Sequence, residues 1–153
     1  MEPLAEIVFA IEPVVQCWDE FVELAKLHWA ETQQHRHDQP LAPSLERYGQ
    51  VEAMGGYTHF TARVDGKFVG YGGLYIVPSM HTQVLICVED TWYLHPDYRK
   101  GRNAIRFFKF MEDYCRSRGV REVNLTAPAH TKTGRIVEYL GYKEVAKQYA
   151  KTL

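Results

Sequence analysis

The sequence has few cysteines, no excess of charge of either sign and no long apolar run, and each absence excludes a class of protein. Cys17, Cys87 and Cys115 are odd in number and widely spaced in apolar surroundings, which predicts reduced core residues rather than a disulfide or zinc framework. A formal net charge of -1 argues against a dedicated nucleic-acid binder. No apolar run approaches membrane-spanning length, and the first residues lack the basic and apolar regions of a signal peptide. We therefore expect a cytoplasmic protein.

What the sequence contains is the composition of one folded domain over residues 1–153. Of its 153 residues 46% are hydrophobic, and no repeat or linker divides them. Hydrophobic periodicity predicts the order β-α-α-β-β-β-α-β-α-β. The predicted segments are a strand over 6–11, helices from Pro13 and over 44–53, strands over 57–64, 67–77 and 84–94, a helix over 104–118, a strand over 122–127, a helix over 132–140 and a last strand over 143–151.

A basic turn over residues 97–104 separates a predicted strand from a predicted helix. It contains Gly101, and four basic side chains surround it: Arg99, Lys100, Arg102 and Arg106. At such a position the unpaired N–H groups and the positive end of the helix dipole point at one spot. A basic turn by itself is usually only a solvated loop, but its place between strand and helix favours an anion site, with phosphate as the anion.

The element order resembles that of the GNAT family of N-acetyltransferases over almost the whole chain. Residues 88–99, with the sequence VEDTWYLHPDYR, resemble the fourth strand of the family and its pyrophosphate loop. The family loop reads Arg/Gln-x-x-Gly-x-Gly/Ala. Arg99 and Ala104 fit its ends, whereas Arg102 occupies the central glycine position and Gly101 lies one residue early.

The resemblance implies an α/β (α+β) fold with a mixed, mostly antiparallel central sheet and helices on both faces. It also implies acetyl-CoA as the acyl donor, with the pyrophosphate held at the turn. The cofactor-binding residues expected there are Arg99, Lys100, Gly101, Arg102, Asn103 and Ala104. A side chain at position 102 must turn away from the phosphate or add a charge-assisted contact of its own.

The candidate general base is Glu89, an acid in the middle of an apolar strand, at a position where many family members carry glutamate. An acceptor ammonium must lose a proton before it can attack, and burial would raise the pKa of a carboxyl toward the working range. The alternative is a half-exposed Glu89, or one paired with a nearby arginine. Asp90 is the second catalytic candidate.

Two further roles follow from the resemblance. If the fourth and fifth strands splay apart as in the family, backbone N–H groups near Tyr93 and Leu94 would stabilise the oxyanion or hold the pantetheine. His130 stands where the family often has asparagine, so it would contact CoA or only cap the following helix.

The tyrosine that protonates the leaving thiolate in many family members is replaced by Val137 here. Tyr139 and Tyr142 are nearby, and Tyr139 is the candidate acid, against the alternative that it only packs. Because a thiol has a pKa of about 8.5, it can leave without an acid, only more slowly.

Two other motifs are weaker signals. The glycines in 70–73 lie inside a strand pattern with no helix after them, which predicts a bulge or close packing rather than a dinucleotide fingerprint. His35, His37 and Asp38 lie on a polar loop without a distant fourth ligand, so we expect no metal and interpret the loop as substrate-facing or solvated.

Two functions remain open from sequence. The first is an N-acetyltransferase that moves an acetyl group from acetyl-CoA to a primary amine by direct attack in a ternary complex, with neither nucleic acid nor membrane as partner. The second is a weak or inactive acyl-CoA-binding sensor or interaction module, which Arg102 and Val137 would favour. A partner chain could supply the last strand, which leaves a homodimer open.

Overall fold

The computed structural model describes residues 5–153 and is built around one five-stranded sheet with the order β1-β2-β3-β4-β5. The first four strands pair antiparallel with their neighbours, and β5 pairs parallel with β4. The strands are β1 (Val8–Ile11), β2 (Tyr57–Val64), β3 (Lys67–Pro78), β4 (Leu85–Leu94) and β5 (Glu122–Asn124).

Four α-helices complete this part of the chain: α1 (Trp18–Thr32), α2 (Leu45–Ala53), α3 (Asn103–Ser117) and α4 (Thr133–Tyr139). Local chemistry fixes their ends. The Ser44 hydroxyl accepts a hydrogen bond from the Arg47 N–H at 3.2 Å and caps α2. The β2–β3 hairpin turns at Asp65 and Gly66, which both have positive φ. None of the helices in residues 5–153 is long and apolar enough to cross a membrane.

Each face of the sheet carries its own apolar cluster, because strand residues alternate between the two faces. On one face α3 buries Phe107, Phe108, Met111 and Cys115, and α4 packs against the same cluster. On the other face α1 buries Phe21, Leu24 and Ala25. The mixed, mostly antiparallel sheet with helices on both faces is confirmed, and all three cysteines are free and buried.

The glycines of β3 allow close packing, as their sequence pattern predicts. A Cβ at Gly72 would lie 2.7 Å from the Met111 Sδ, and one at Gly70 would lie 2.9 Å from the Tyr93 carbonyl oxygen. The β3–β4 register also shifts between Gly73 and Leu74, which is the expected bulge.

Three predicted elements differ from the structure by three residues or more. The first helix begins at Trp18 because Val14–Gln16 forms a 3-10 turn. Strand β5 ends at Asn124 rather than at residue 127. Residues 143–151 form no strand, and Val145 and Tyr149 are exposed, because this charged segment offers little apolar surface for pairing. The homodimer that would supply a further strand stays a prediction.

Candidate active site

A gap opens between β4 and β5 on the sheet. The parallel pairing runs from Ile86 to Val88 on β4 and from Glu122 to Asn124 on β5, and it stops there. Strand β4 continues to Leu94, and no strand of residues 5–153 lies beside this second half on the β5 side. The splay that the family resemblance implies is therefore present.

The register decides which backbone groups of β4 face the gap. The His95 N–H donates to the Val69 carbonyl at 2.8 Å, and Tyr93 lies opposite Tyr71. Antiparallel alternation then turns the Tyr93 backbone toward β3, and the backbones of Trp92 and Leu94 toward the gap. The Leu94 N–H therefore faces the gap, where the sequence analysis placed a donor, whereas the Tyr93 N–H faces β3. The Trp92 N–H also faces the gap. The sequence analysis missed it because only the pairing with β3 sets the register.

Glu89 lies at the bulge of β4, at the start of the gap. Leu74 pairs with Glu89 and Gly73 pairs with Thr91, so Asp90 is the extra residue between them. The Glu89 Oε2 accepts a hydrogen bond from the Thr126 N–H at 3.3 Å, across the gap. Burial, with a smaller contribution from the charge of Asp90, raises the pKa of Glu89 to about 7. The Glu89 side chain is half-buried, and within residues 5–153 it makes no salt bridge with an arginine.

Asp90 faces the α2 side of the sheet. Its Oδ2 accepts a hydrogen bond from the Tyr57 hydroxyl at 3.4 Å. The residue is exposed, yet neighbouring atoms crowd its carboxylate, and this desolvation raises the pKa of Asp90 against the opposing effect of the Tyr57 hydrogen bond. The two consecutive acids therefore have different surroundings.

The basic turn has the geometry of an anion site. Gly101 has a φ of +59°, in the left-handed region that glycine adopts without strain. Within residues 5–153 the N–H groups of 101, 102, 104 and 105 make no hydrogen bond, as the first turn of α3 dictates. Lys100 and Arg102 are exposed and have no acidic partner in the described chain.

Arg99 has a different partner from the expected phosphate. Its Nη1 and Nη2 donate to Glu31 Oε1 and Oε2 at 2.6 and 2.9 Å, and its Nε donates to the Leu94 carbonyl at 2.7 Å. The guanidinium also lies 5.1 Å from the centre of the Tyr93 ring. Arg99 therefore ties the end of β4 to α1. No local signal marks Glu31, which lies 68 positions earlier in the chain.

The remaining turn residues take structural positions. The Asn103 Nδ2 donates to the Tyr98 carbonyl at 3.0 Å, and Ala104 is half-buried in the first turn of α3. The Nε2 of His130 lies 3.3 Å from the Glu31 carbonyl oxygen, so this side chain reaches α1 and does not cap α4.

On α4, Val137 packs against the core, whereas Tyr139 is 66% exposed.

The two histidines of the polar loop have different aromatic partners. His37 stacks on Trp29 with ring centres 4.9 Å apart, and His35 packs against His130.

A splayed sheet, free N–H groups at a helix start and a half-buried carboxyl at the gap are the features that the resemblance to acyltransferases implies. A model of the acetyltransferase (GNAT) family matches residues 18–142, and the chain belongs to that family. The comparison with curated proteins finds no match.

Solved structures share the fold at low sequence identity. A ribosomal-protein-alanine N-acetyltransferase from Brucella melitensis biovar Abortus 2308 is 21% identical, with a TM-score of 0.74 over 97% of this chain and 99% of that one. An aminoglycoside acetyltransferase from an uncultured soil metagenomic sample, in complex with sisomicin, is 12% identical, with a TM-score of 0.76 over 98% and 97%. A predicted acetyltransferase from Clostridium acetobutylicum, with acetyl-CoA, is 9% identical, with a TM-score of 0.73 over 96% of each chain.

Proposed function

We propose that the protein transfers an acetyl group from acetyl-CoA to a primary amine by direct attack in a ternary complex. The observation that carries the proposal is the position of Glu89, a carboxyl with a pKa raised to about 7 at the mouth of the β4–β5 gap. A base with this pKa is half ionised near neutral pH and suits proton removal from an ammonium.

The cofactor is held by backbone more than by arginine. The free N–H groups at the start of α3 bind the pyrophosphate, and Lys100 and Arg102 add charge. The pantetheine lies along the open edge of β4. Arg99 positions this edge through its bonds to Leu94 and Glu31. The His130 side chain, which contacts the Glu31 carbonyl oxygen, holds the β5–α4 loop against the end of α1.

In the reaction, Glu89 takes a proton from the ammonium, directly or through one water, and the amine lone pair attacks the thioester carbon. The N–H of Leu94 or Trp92 stabilises the oxyanion. Attack forms the C–N bond and the tetrahedral oxyanion, and collapse of this intermediate then breaks the C–S bond. The nitrogen releases its second proton to solvent, and the CoA thiolate takes a proton from solvent, since Val137 replaces the usual acid and Tyr139 is largely exposed.

The test is release of free CoA from acetyl-CoA in the presence of an amine panel. The panel includes a peptide with an N-terminal alanine and an aminoglycoside, because one structural neighbour is a ribosomal-protein-alanine N-acetyltransferase and another is an aminoglycoside acetyltransferase. Glu89→Gln should lower kcat by roughly 100-fold or more while acetyl-CoA still binds in calorimetry, since base catalysis contributes about 10² to 10⁴ in rate. The matched control is Glu122→Gln, an exposed glutamate on β5. Full turnover by Glu89→Gln would contradict the assignment of the base.

The second candidate is an acyl-CoA-binding sensor without turnover. Two departures favour it: Arg102 at the central glycine position and Val137 in place of the tyrosine. It predicts acetyl-CoA binding without any acetylated product across the panel. A single acetylated amine, detected by mass spectrometry, would exclude it.

A further inference from the structure

Glu31, at the end of α1, contacts three other parts of the molecule. Its Oε1 and Oε2 accept hydrogen bonds from the two terminal nitrogens of Arg99, and its Oε2 also accepts one from the Tyr93 hydroxyl at 2.8 Å. The Glu31 backbone carbonyl oxygen lies 3.3 Å from the His130 Nε2. One residue of α1 therefore joins β4, the basic turn and the loop between β5 and α4.

The helix itself gives no reason for an acid at this position. Glu31 lies in the last turn of α1, where the negative end of the helix dipole disfavours a carboxylate. The hydrogen bonds from Arg99 hold the pKa of Glu31 below its usual range, against the opposing effect of burial. Glu31 is thus ionised at neutral pH, and the group that stabilises its charge lies on the basic turn rather than on α1.

The same contacts limit what Arg99 can bind. Its Nε donates to the Leu94 carbonyl at 2.7 Å, so Leu94 and Glu31 together take three of the five N–H donors of the guanidinium. A carboxylate that faces both terminal nitrogens occupies them as a phosphate would, because each anion offers a pair of oxygens to the guanidinium fork. Glu31 thus neutralises the arginine at which the family resemblance placed the pyrophosphate.

The backbone at Leu94 is what this ion pair fixes on β4. Arg99 occupies the Leu94 carbonyl, and the Leu94 N–H remains the donor that faces the gap. His28, on the same helix as the glutamate, stacks on the Tyr93 ring with ring centres 4.5 Å apart. The end of β4 is therefore fastened to α1 through the side chain of Tyr93 and through the carbonyl of Leu94.

The ion pair is open to an incoming ligand. The Arg99 and Glu31 side chains are 38% and 36% exposed. Arg99 also stands two residues before Gly101, at the turn that presents the N–H groups of the start of α3. Because CoA carries a pyrophosphate, a guanidinium released from Glu31 would have a second anion to pair with at this turn.

We propose that Glu31 is a positioning residue that withholds Arg99 from the pyrophosphate and uses it to fix the gap-facing backbone of Leu94. This inference deepens the proposed function and rests on it only for its catalytic readout. Removal of Glu31 should have opposite effects on binding and on turnover. CoA should bind more tightly because Arg99 is free to pair with phosphate, and acetyl transfer should slow because the Leu94 N–H is less well placed for the oxyanion.

Calorimetry with CoA tests the restraint on Arg99 without any acceptor amine. At about 0.3 M salt, where distant charges are screened, Glu31→Ala should lower the Kd for CoA at least about threefold. In an Arg99→Ala background the same substitution should change the Kd less than about twofold, because Glu31 acts through Arg99. The matched control is Glu23→Ala, an exposed glutamate on the same helix that pairs with Lys26, and it should leave the Kd unchanged.

The catalytic readout is the single-turnover rate of acetyl transfer to an amine that the unaltered protein acetylates, since release of CoA does not affect this rate. Glu31→Ala should lower it roughly tenfold, within the range that loss of a well-placed oxyanion donor allows. Glu31→Gln keeps the size of the side chain and one acceptor oxygen, and it should change the Kd and the rate in the same directions by smaller factors. Thermal unfolding of each variant verifies that it is folded.

The outcomes separate this inference from the proposed function. A Kd for CoA that is unchanged or higher in both folded Glu31 variants would overturn the inference, and so would a decrease that persists without Arg99, because it would come from net charge. Tighter CoA binding with an unchanged transfer rate would overturn the positioning of Leu94. An Arg99-dependent decrease in Kd without acetylation of any amine would leave the restraint on Arg99 standing, and the proposed function would fail.

Discussion

Replacing Glu89 by glutamine should stabilise the protein at alkaline pH and have little effect in acid. The pKa of this carboxyl is about 7 in the fold, against 4.5 in the unfolded chain. Because burial raises the folded-state pKa of an acid, the ionised form carries a penalty that is absent below about pH 4.5. The penalty grows between 4.5 and 7, and it is complete above about pH 7. The gap between the two pKa values corresponds to roughly 3 kcal/mol, since one pKa unit is about 1.4 kcal/mol.

The assay is thermal unfolding of the ligand-free protein and of Glu89→Gln at pH 5, 7 and 8.5. For a chain of this length, 3 kcal/mol corresponds to an increase in Tm of roughly 6–12 °C at pH 8.5, whereas at pH 5 the gain in stability should stay below about 1 kcal/mol. Glutamine can still accept the hydrogen bond from the Thr126 N–H, so the variant changes charge more than packing. The control is again Glu122→Gln.

A Tm difference between Glu89→Gln and the unaltered protein that is the same at pH 5 and at pH 8.5 would refute the reasoning. It would show that Glu89 is solvated in solution and ionises at its ordinary pKa. A pH-dependent difference shared by Glu122→Gln would refute it as well, because the effect would then come from net charge. Neither readout requires a known acceptor amine.

Three further predictions concern the cofactor site and the leaving group. Lys100→Ala with Arg102→Ala should weaken acetyl-CoA binding roughly tenfold or more in calorimetry, whereas Arg99→Ala should weaken it less, because α1 already holds that guanidinium. A larger loss with Arg99→Ala would reverse this ranking. Gly101→Ala should lower Tm by a few degrees, since a φ of +59° costs an L-residue about 1–2 kcal/mol. An unchanged Tm would contradict the left-handed conformation of residue 101. Tyr139→Phe should retain most of its turnover because the phenol is 66% exposed, and a large loss of kcat would restore Tyr139 as the acid.

Much of the fold could be predicted because its signals are local. Alternation marks β2, β3 and β4, and Ser44 marks the start of α2 by the cap it forms. The first helix was placed too early because Pro13 suits a helix start, yet its ψ of 138° keeps it extended. The last strand was wrong because alternation shows only that a segment can pair, not that an edge will accept it.

The candidate site could be predicted only in part. Glu89 was found because an acid inside an apolar strand is visible in the sequence, and the structure places its half-buried side chain at the start of the gap with a raised pKa. The partner of Arg99 could not be found, since Glu31 lies far away in the chain without a motif of its own. The backbone direction at Tyr93 also depends on which residue of β3 lies opposite.

The sequence by itself determined the element order as far as α4, the glycine turn before α3 and the acid on β4, because backbone propensity and hydrophobic periodicity act over a few neighbouring residues. The tertiary structure alone decided that β4 and β5 separate after Val88, that Arg99 pairs with Glu31 on α1, and that the Tyr57 hydroxyl reaches Asp90. These features join residues distant in sequence, and packing and register choose such partners only after the chain has folded.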